Sequence, residues 1–304
     1  MKKVVLIGGG HGLSNIVKGF KDEDIDLTII VSSTDDGGHT GKIRNEFKIV
    51  AVGDLRMVLN ELIDDDSSLK EVFDYRFNLL HGISKVSLGN LMITSLFVKY
   101  KDIDKVIEYF REKEGIKANV FLSNNNPLIL CAECENGEII KHEHLIGESN
   151  KKITRLYSEG EEGCNPLMLK KIEEADIIVL GPGSLYTSVG SVLCIPRIKE
   201  TIKNSFAKIV YVCNIMSQNG ETLGYSVKDH EEALSRIMDK QIDRVIVNNG
   251  KIDDNVLNKY KEENSEPVGI DEIKDYYEFY DLIEMCDGKI RHNSQLTKKI
   301  ILNQ

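Results

Sequence analysis

The chain has 304 residues, 41% of them hydrophobic and 29% charged, with a formal net charge of −10. That length allows one large α/β domain or two small ones, and the acidity argues against a nucleic-acid backbone as the main partner. The N-terminal apolar run is too short for a signal peptide and no 18-residue apolar segment follows, so a cytoplasmic protein with no membrane span is expected.

Val4-Val5-Leu6-Ile7 reads as a short buried parallel strand. It runs into Gly8-Gly9-Gly10-His11-Gly12, and the chain from Leu13 onward reads as a helix. Four glycines in five residues let the backbone turn sharply and bring its N–H groups up to a ligand. The turn opens onto a helix N-terminus, where free N–H groups and the dipole favour an anion, most often a phosphate. Leu13 stands where a dinucleotide fingerprint needs its third glycine, and no Gly-Lys-Ser/Thr follows as in a P-loop. The turn says phosphate without saying which phosphate.

Asp26 to Ser32 reads as the second parallel strand, ending in Asp35-Asp36-Gly37-Gly38-His39-Thr40-Gly41-Lys42-Ile43-Arg44. An acidic residue at this place in a nucleotide-binding βαβ unit usually meets a ribose hydroxyl. Two adjacent aspartates before two glycines suggest, in addition, a divalent cation held on a phosphate. Lys42 and Arg44 bring positive charge to the same loop. Gly53-Asp54-Leu55-Arg56 opens a helix expected over 56–63, with Asp54 either its N-cap or a ligand group. Helical periodicity covers Leu69 to Phe110 and is clearest over 88–97, with Ser87 as a cap. Gly89 and Asn90 are poor helix formers in that first turn, which implies a close approach or a polar contact there. His81 reads as a surface or packing histidine.

Strands are expected over 118–122, 128–134 and 138–144, the last two joined as a hairpin at Asn136-Gly137, with another strand near 153–157. Cys131 and Cys134 form a lone CxxC on a strand, where positions three apart face opposite sides, so neither metal nor redox chemistry is expected. All six cysteines read as reduced, structural thiols. Ala175 to Leu180 is a further buried strand, and Gly181-Pro182-Gly183-Ser184-Leu185-Tyr186-Thr187-Ser188 repeats the opening logic of strand, glycine turn and hydroxyl-bearing helix start. Two such turns read as two faces of one phosphate site, or as phosphate and sugar sites. Gly-x-Ser-x-Gly is absent, so Ser184 is not a nucleophile elbow. Ala207 to Val212 is the next strand, and Cys213 to Thr222 places polar and glycine residues just beyond its end. A helix beginning at Asp229-His230, a strand over 244–247, helices near 255–263 and 271–284, and a last element from Gln295 complete the chain. No linker signal forces a second domain.

The chain resembles the gluconeogenesis factors, or YvcK-type proteins, which are related to the 2-phospho-L-lactate transferases of deazaflavin coenzyme synthesis. The carrying motifs are Ile-Gly-Gly-Gly-His-Gly-Leu-Ser (7–14), Asp-Asp-Gly-Gly-His-Thr-Gly-Lys-Ile-Arg (35–44), Gly-Asp-Leu-Arg (53–56) and Leu-Gly-Asn-Leu (88–91). They continue with Gly-Pro-Gly-Ser-Leu-Tyr-Thr-Ser-Val (181–189), the run 211–222, Asp229-His230, and Arg291-His292 in the tail. The resemblance implies one Rossmann-like nucleotide-binding domain over 1–304 with a helical C-terminal tail. Its α/β fold would have a mostly parallel sheet, helices on both faces and an inserted β-hairpin. It also implies binding of a nucleotide sugar such as UDP-N-acetylglucosamine and a role in cell-wall, cell-shape and carbon-source adaptation. Carried over residue by residue, Gly9, Gly10, Gly12, Gly181, Gly183 and Ser184 would cradle phosphate. Asp35, Asp36, Gly37, Gly38, Asp54 and Asn90 would line the cleft, Asn214 and Gln218 would face the nucleotide, and Tyr260 and Arg291 would close the site. His11, Leu13, Arg56 and Tyr186, inside the same motifs, complete the candidate set. The family usually has Thr at position 11 and small residues at 39 and 40; His11, His39 and Thr40 stand here. Two imidazoles beside a diphosphate would tune affinity near neutral pH or change the ligand.

Two functions follow. One is a regulator that binds a nucleotide sugar, needs no cofactor and has no catalytic residue. The other is a transferase acting on a nucleoside diphosphate conjugate, with Asp35, Asp36 or Asp54 holding Mg²⁺ and Asp36 and Asp54 the leading metal ligands. Leu13 and the lack of an evident catalytic acid weigh against a dehydrogenase. The regulator is favoured, with homo-oligomerisation left open.

Overall fold

In the computed structural model, which describes residues 1–78 and 85–304, the short apolar runs become strands of one large sheet. His81 lies outside the described residues. β1 (Lys3–Gly8), β2 (Asp26–Val31) and β3 (Asn119–Leu122) form one half of that sheet. β4 (Ile129–Cys134), β5 (Ile139–Lys141) and β6 (Ile153–Glu159) make a separate antiparallel sheet. β7 (Ile177–Leu180), β8 (Lys208–Val212), β9 (Arg244–Asn248) and β10 (Tyr277–Tyr280) complete the large sheet, and β11 (Ile283–Cys286) pairs with β12 (Lys289–His292) as a hairpin.

The large sheet runs β10-β9-β8-β7-β1-β2-β3, and all its pairings are parallel. Parallel strands covered on both faces need apolar side chains on both, which is why these segments are near-continuous runs rather than alternating ones. Val4 and Leu6 enter one apolar layer and Val5 and Ile7 the other, as the two-residue period of a strand requires. Strand order reverses at β1: β2 and β3 lie to one side of it, and β7 to β10 to the other. The crevice beyond the carboxyl ends of β1 and β7 is therefore the switch point at which open α/β sheets take their ligands.

Helices α1 (Gly10–Phe20), α2 (Gly38–Phe47) and α3 (Gly53–Leu62) follow the first two strands. The long periodic stretch resolves into Ser68–Phe73, Leu88–Tyr100 and Ile103–Lys113. Ser87 caps the second of these, accepting from the Asn90 N–H at 3.3 Å. Gly89 lies against Phe73 and Arg56, the close approach expected of it. All six cysteines are unpaired, and only Cys286 is exposed.

Several expectations are corrected. β5 ends at Lys141, and Glu143–Gly147 turns into a short helix. The second glycine turn opens onto a π-helix, Leu185–Gly190, after a cis Gly181–Pro182 bond. The helix expected over 271–284 is instead β10 and β11, because Tyr276-Tyr277-Glu278-Phe279-Tyr280 is an aromatic run that packs well on a pleated surface. The C-terminal segment is thus mixed rather than helical: it supplies the seventh strand of the large sheet, a hairpin, and the helices Asp254–Glu262 and Ser294–Leu302.

Candidate functional site

α1 starts one residue after Gly9, whose extended backbone (φ −166°) brings no side-chain cap. Gly9 itself thus supplies no cap, and in that first turn the Gly10 N–H meets the Asp54 carboxyl. Gly10 takes a left-handed φ of +60°, which favours glycine. A Cβ on Gly12 would sit 2.7 Å from the Pro182 carbonyl carbon and 2.9 Å from the Gly183 nitrogen, so the two glycine turns touch. Asn214, just past β8, clamps the second turn: its Oδ1 accepts from the Gly183 N–H at 3.1 Å and its Nδ2 donates to the Gly183 carbonyl at 2.9 Å. Gln218 Nε2 donates to Ser184 Oγ at 2.7 Å, while its Oε1 is buried with no hydrogen-bond partner. Between these groups lies a cavity of about 490 Å³, a size usual for small-molecule sites.

The tail closes one side of this cavity. His292 Nε2 donates to the Cys213 carbonyl at 2.9 Å, Asn15 Nδ2 donates to the His292 carbonyl at 2.6 Å, and the Ile290 N–H donates to Tyr260 Oη at 2.9 Å. Burial pushes His292 down to about 4, so this fully enclosed imidazole is neutral. These bonds fix the residues on either side of Arg291, which lines the cavity. Burial also lowers the pKa of His11, and the nearby Arg291, Arg56, Lys289 and Arg76 lower it further. Of these cations Arg291 lines the cavity, where it favours an anion, while Arg56 and Arg76 line the neighbouring recess together with Asp74.

Acidic groups gather on the other side of the first turn. Asp54 does not cap α3; Val52 holds the cap position and Asp54 lies in the first turn, its carboxyl packed against Gly9. Burial and the adjacent Asp35 push its pKa up to about 7, against the Gly10 N–H and Arg56. Glu143 is pushed up to about 8 by burial and by Asp35, Glu221, Asp36 and Asp54. Burial raises Asp35 as well, opposed by the Gly37 N–H. Asp36 behaves differently. Burial would raise it, but hydrogen bonds from His144 and His142 outweigh that and hold it below the usual carboxylate range. His142 Nδ1 lies 2.7 Å from one Asp36 oxygen and His144 Nδ1 2.8 Å from the other.

The cavity brings together Gly9, Gly10, His11, Gly12, Gly183, Ser184, Asn214, Gln218, Tyr260 and Arg291 from the expected set. Arg56 lines a neighbouring recess shared with His11, where it pairs with Asp74. Gly37 and Gly38 sit with Asp35 and Asp36 at the start of α2, beside His144 rather than on the cavity wall. Leu13 and Tyr186 are buried in the apolar layers, the Tyr186 hydroxyl meeting that of Tyr225, so neither faces the cavity. Asn90 is buried behind Ser87, and Gly181 packs under the end of β8. Of the two aspartates expected to hold a metal, Asp36 has an imidazole at each carboxylate oxygen, and Asp35 is the carboxylate that bears on Asp54. Among the described residues, no group of three or more His, Cys, Asp and Glu side chains forms a metal site. Sequence reasoning missed Asn15 and Asn219 in the cavity wall, and Glu143 and Glu221 in the acidic corner. The alternation His142-Glu143-His144 after a strand was the available signal for one of these.

A parallel sheet with glycine turns at its switch point and a cavity between them defines an open α/β fold with a candidate small-molecule site at the carboxyl ends of its strands. Residues 4–282 match the family model for 2-phospho-L-lactate transferase CofD, and the chain belongs to that family. A gluconeogenesis factor of Halalkalibacterium halodurans is 38% identical over 99% of this chain and 96% of its own length. One from Bacillus subtilis is 38% identical over 88% of this chain and 86% of its own. The fold matches a crystal structure of a Bacillus halodurans protein with a TM-score of 0.94 at 37% identity, covering 99% of both chains. No helix among the described residues is long and apolar enough to cross a membrane.

Proposed function

We propose that the chain is a nucleotide-sugar-binding regulator of the gluconeogenesis-factor type, taking a UDP-N-acetylglucosamine-like ligand and acting in cell-shape and carbon-source adaptation. The observation that carries the reading is the contact of the two glycine turns at the switch point, with a cavity of about 490 Å³ between them. The diphosphate would lie on the N–H groups of the first turn, near Arg291, and the amides of Asn214 and Gln218 offer directional partners to sugar or base. The names of the relatives support the regulatory role.

A second reading, a Mg²⁺-dependent transferase acting on a nucleoside diphosphate conjugate, is supported by Asp54 beside Gly9 with Asp35 close to it. Two carboxylates suit Mg²⁺ when phosphate oxygens and water fill its remaining positions, so the residues fit the ion. Bound there, it would neutralise charge on a leaving phosphate. Calorimetric titration with UDP-N-acetylglucosamine and with GDP, each with and without Mg²⁺, separates the two. Metal-independent binding of the UDP-sugar without turnover supports the regulator; binding of GDP alone, and only with Mg²⁺, rejects it for the transferase. Ser184→Trp should block the second turn by bulk, and unchanged affinity in that variant would remove the turn from the site.

A further inference from the structure

We propose that the free edge of β6 is a docking surface for an extended acidic segment of a partner protein. In the small sheet the order is β5-β4-β6, so β6 pairs on one side only. Four consecutive residues of this strand, Thr154 to Tyr157, line a groove of about 260 Å³. Neighbouring residues of a strand point to opposite faces, so a groove that meets all four runs along the edge rather than across a face. Its far wall comes from two helices of the main body, Pro196–Asn204 and Val227–Met238. The floor is apolar: Leu156, Cys194 and Ile237 are all buried.

The charge of the groove selects the partner. Arg155, Lys199 and Arg236 line it and no carboxylate does, in a chain whose net charge is −10. Among the described residues neither Lys199 nor Arg236 has a salt-bridge partner, and the single carboxylate facing Arg155, Glu133, is 4.0 Å away. Arg155 lies over the Tyr157 ring at 5.1 Å, which keeps the guanidinium at the rim. A second copy of this chain is the wrong occupant. Pairing two β6 edges would set the three cations against their own copies, and edge cations of this kind are how sheets resist self-pairing. An extended segment with acidic side chains meets both demands. Its backbone takes up the free edge groups, alternate apolar side chains enter the groove, and the carboxylates face the cations.

The test uses the intact chain and a capped hexapeptide of alternating valine and glutamate, with a valine–lysine hexapeptide as control. The acidic peptide is expected to bind with an affinity that falls as salt rises, and to slow amide hydrogen exchange within 153–159. The double variant Lys199→Glu, Arg236→Glu, with an unchanged thermal midpoint, should weaken it by about tenfold or more. The lysine peptide should not bind. No binding of the acidic peptide, equal binding of both peptides, or protection elsewhere in the chain would overturn the proposal.

Discussion

Where β1 and β7 end, the lining is glycine backbone, the amides of Asn214 and Gln218, and Arg291; on the far side of Gly9 it is Asp35, Asp54 and Glu143. The first region holds charge outside itself: its backbone N–H groups and Arg291 can meet an anion and cost little when none is bound. The second holds charge within itself. Burial and mutual repulsion there push Asp54 up to about 7 and Glu143 up to about 8, so near neutrality the acids share protons. An anionic ligand suits the first region directly. It can extend toward the second only when that corner is protonated or holds a cation.

Four substitutions break or sharpen this contrast. The largest effect is expected for Gly12→Val, whose side chain has no room beside Pro182 and Gly183. Nucleotide-sugar binding should vanish and stability should drop by roughly 3 kcal/mol, read by calorimetry and urea unfolding. Normal binding would mean that the turns do not form the cradle. Asp54→Asn comes next. A carboxyl raised from 3.8 to about 7 on folding stabilises the protein fully below pH 4, and that stabilisation is lost as pH climbs toward 7. The asparagine variant should match the parent near pH 4 and exceed it at pH 8 by roughly 2 kcal/mol, about half the full linkage value because Asp54 keeps part of its surface exposed. Parallel pH profiles for the two proteins would dismiss the acidic corner as a source of strain.

Asn214→Ala removes both bonds to Gly183, and a loss of about 1 to 2 kcal/mol is expected. The accompanying loss of affinity, measured by titration, should reach roughly tenfold; undiminished affinity would show that the clamp serves folding alone. The smallest change is expected for Arg291→Gln, a few-fold weaker affinity seen at low salt and fading as salt is raised. A salt-independent loss would point to a specific contact rather than to the general field of the wall.

The same contrast explains what could be read from the sequence. The glycine turns were legible because a strand, a cluster of glycines and a helix are contiguous, and the geometry they impose is local. Asn214 was legible for a related reason, since it sits at the end of an apolar strand. The acidic corner was only half visible. Asp35 and Asp54 announced themselves near strand and helix ends, but Glu143 arrives from the short helix after β5, some ninety residues away in sequence, and its local signal does not show where it converges. Asp36 looked like a free ligand because its two imidazole partners come from the same distant segment. Tyr186 sat in a motif whose hydroxyls seemed available, yet the π-helical path after Ser184 carries it into the apolar layer. In the tail, the helix expected over 271–284 gives way to β10, whose aromatic run pairs with β9.

The bonds that tie His292 to Cys213 and Asn15 to His292 join the last strand of the chain to its first helix and to the end of β8. During synthesis the glycine turn after β1 is made well before β12, and its cavity acquires the Arg291 wall only after residue 292 has emerged. A ribosome-bound chain can pair its central strands well before it can hold a ligand as the finished protein does. Occupancy by ligand would then distinguish chains that carry β12 from chains cut short before it, and the latter would leave α1 uncovered along the face that the tail occupies.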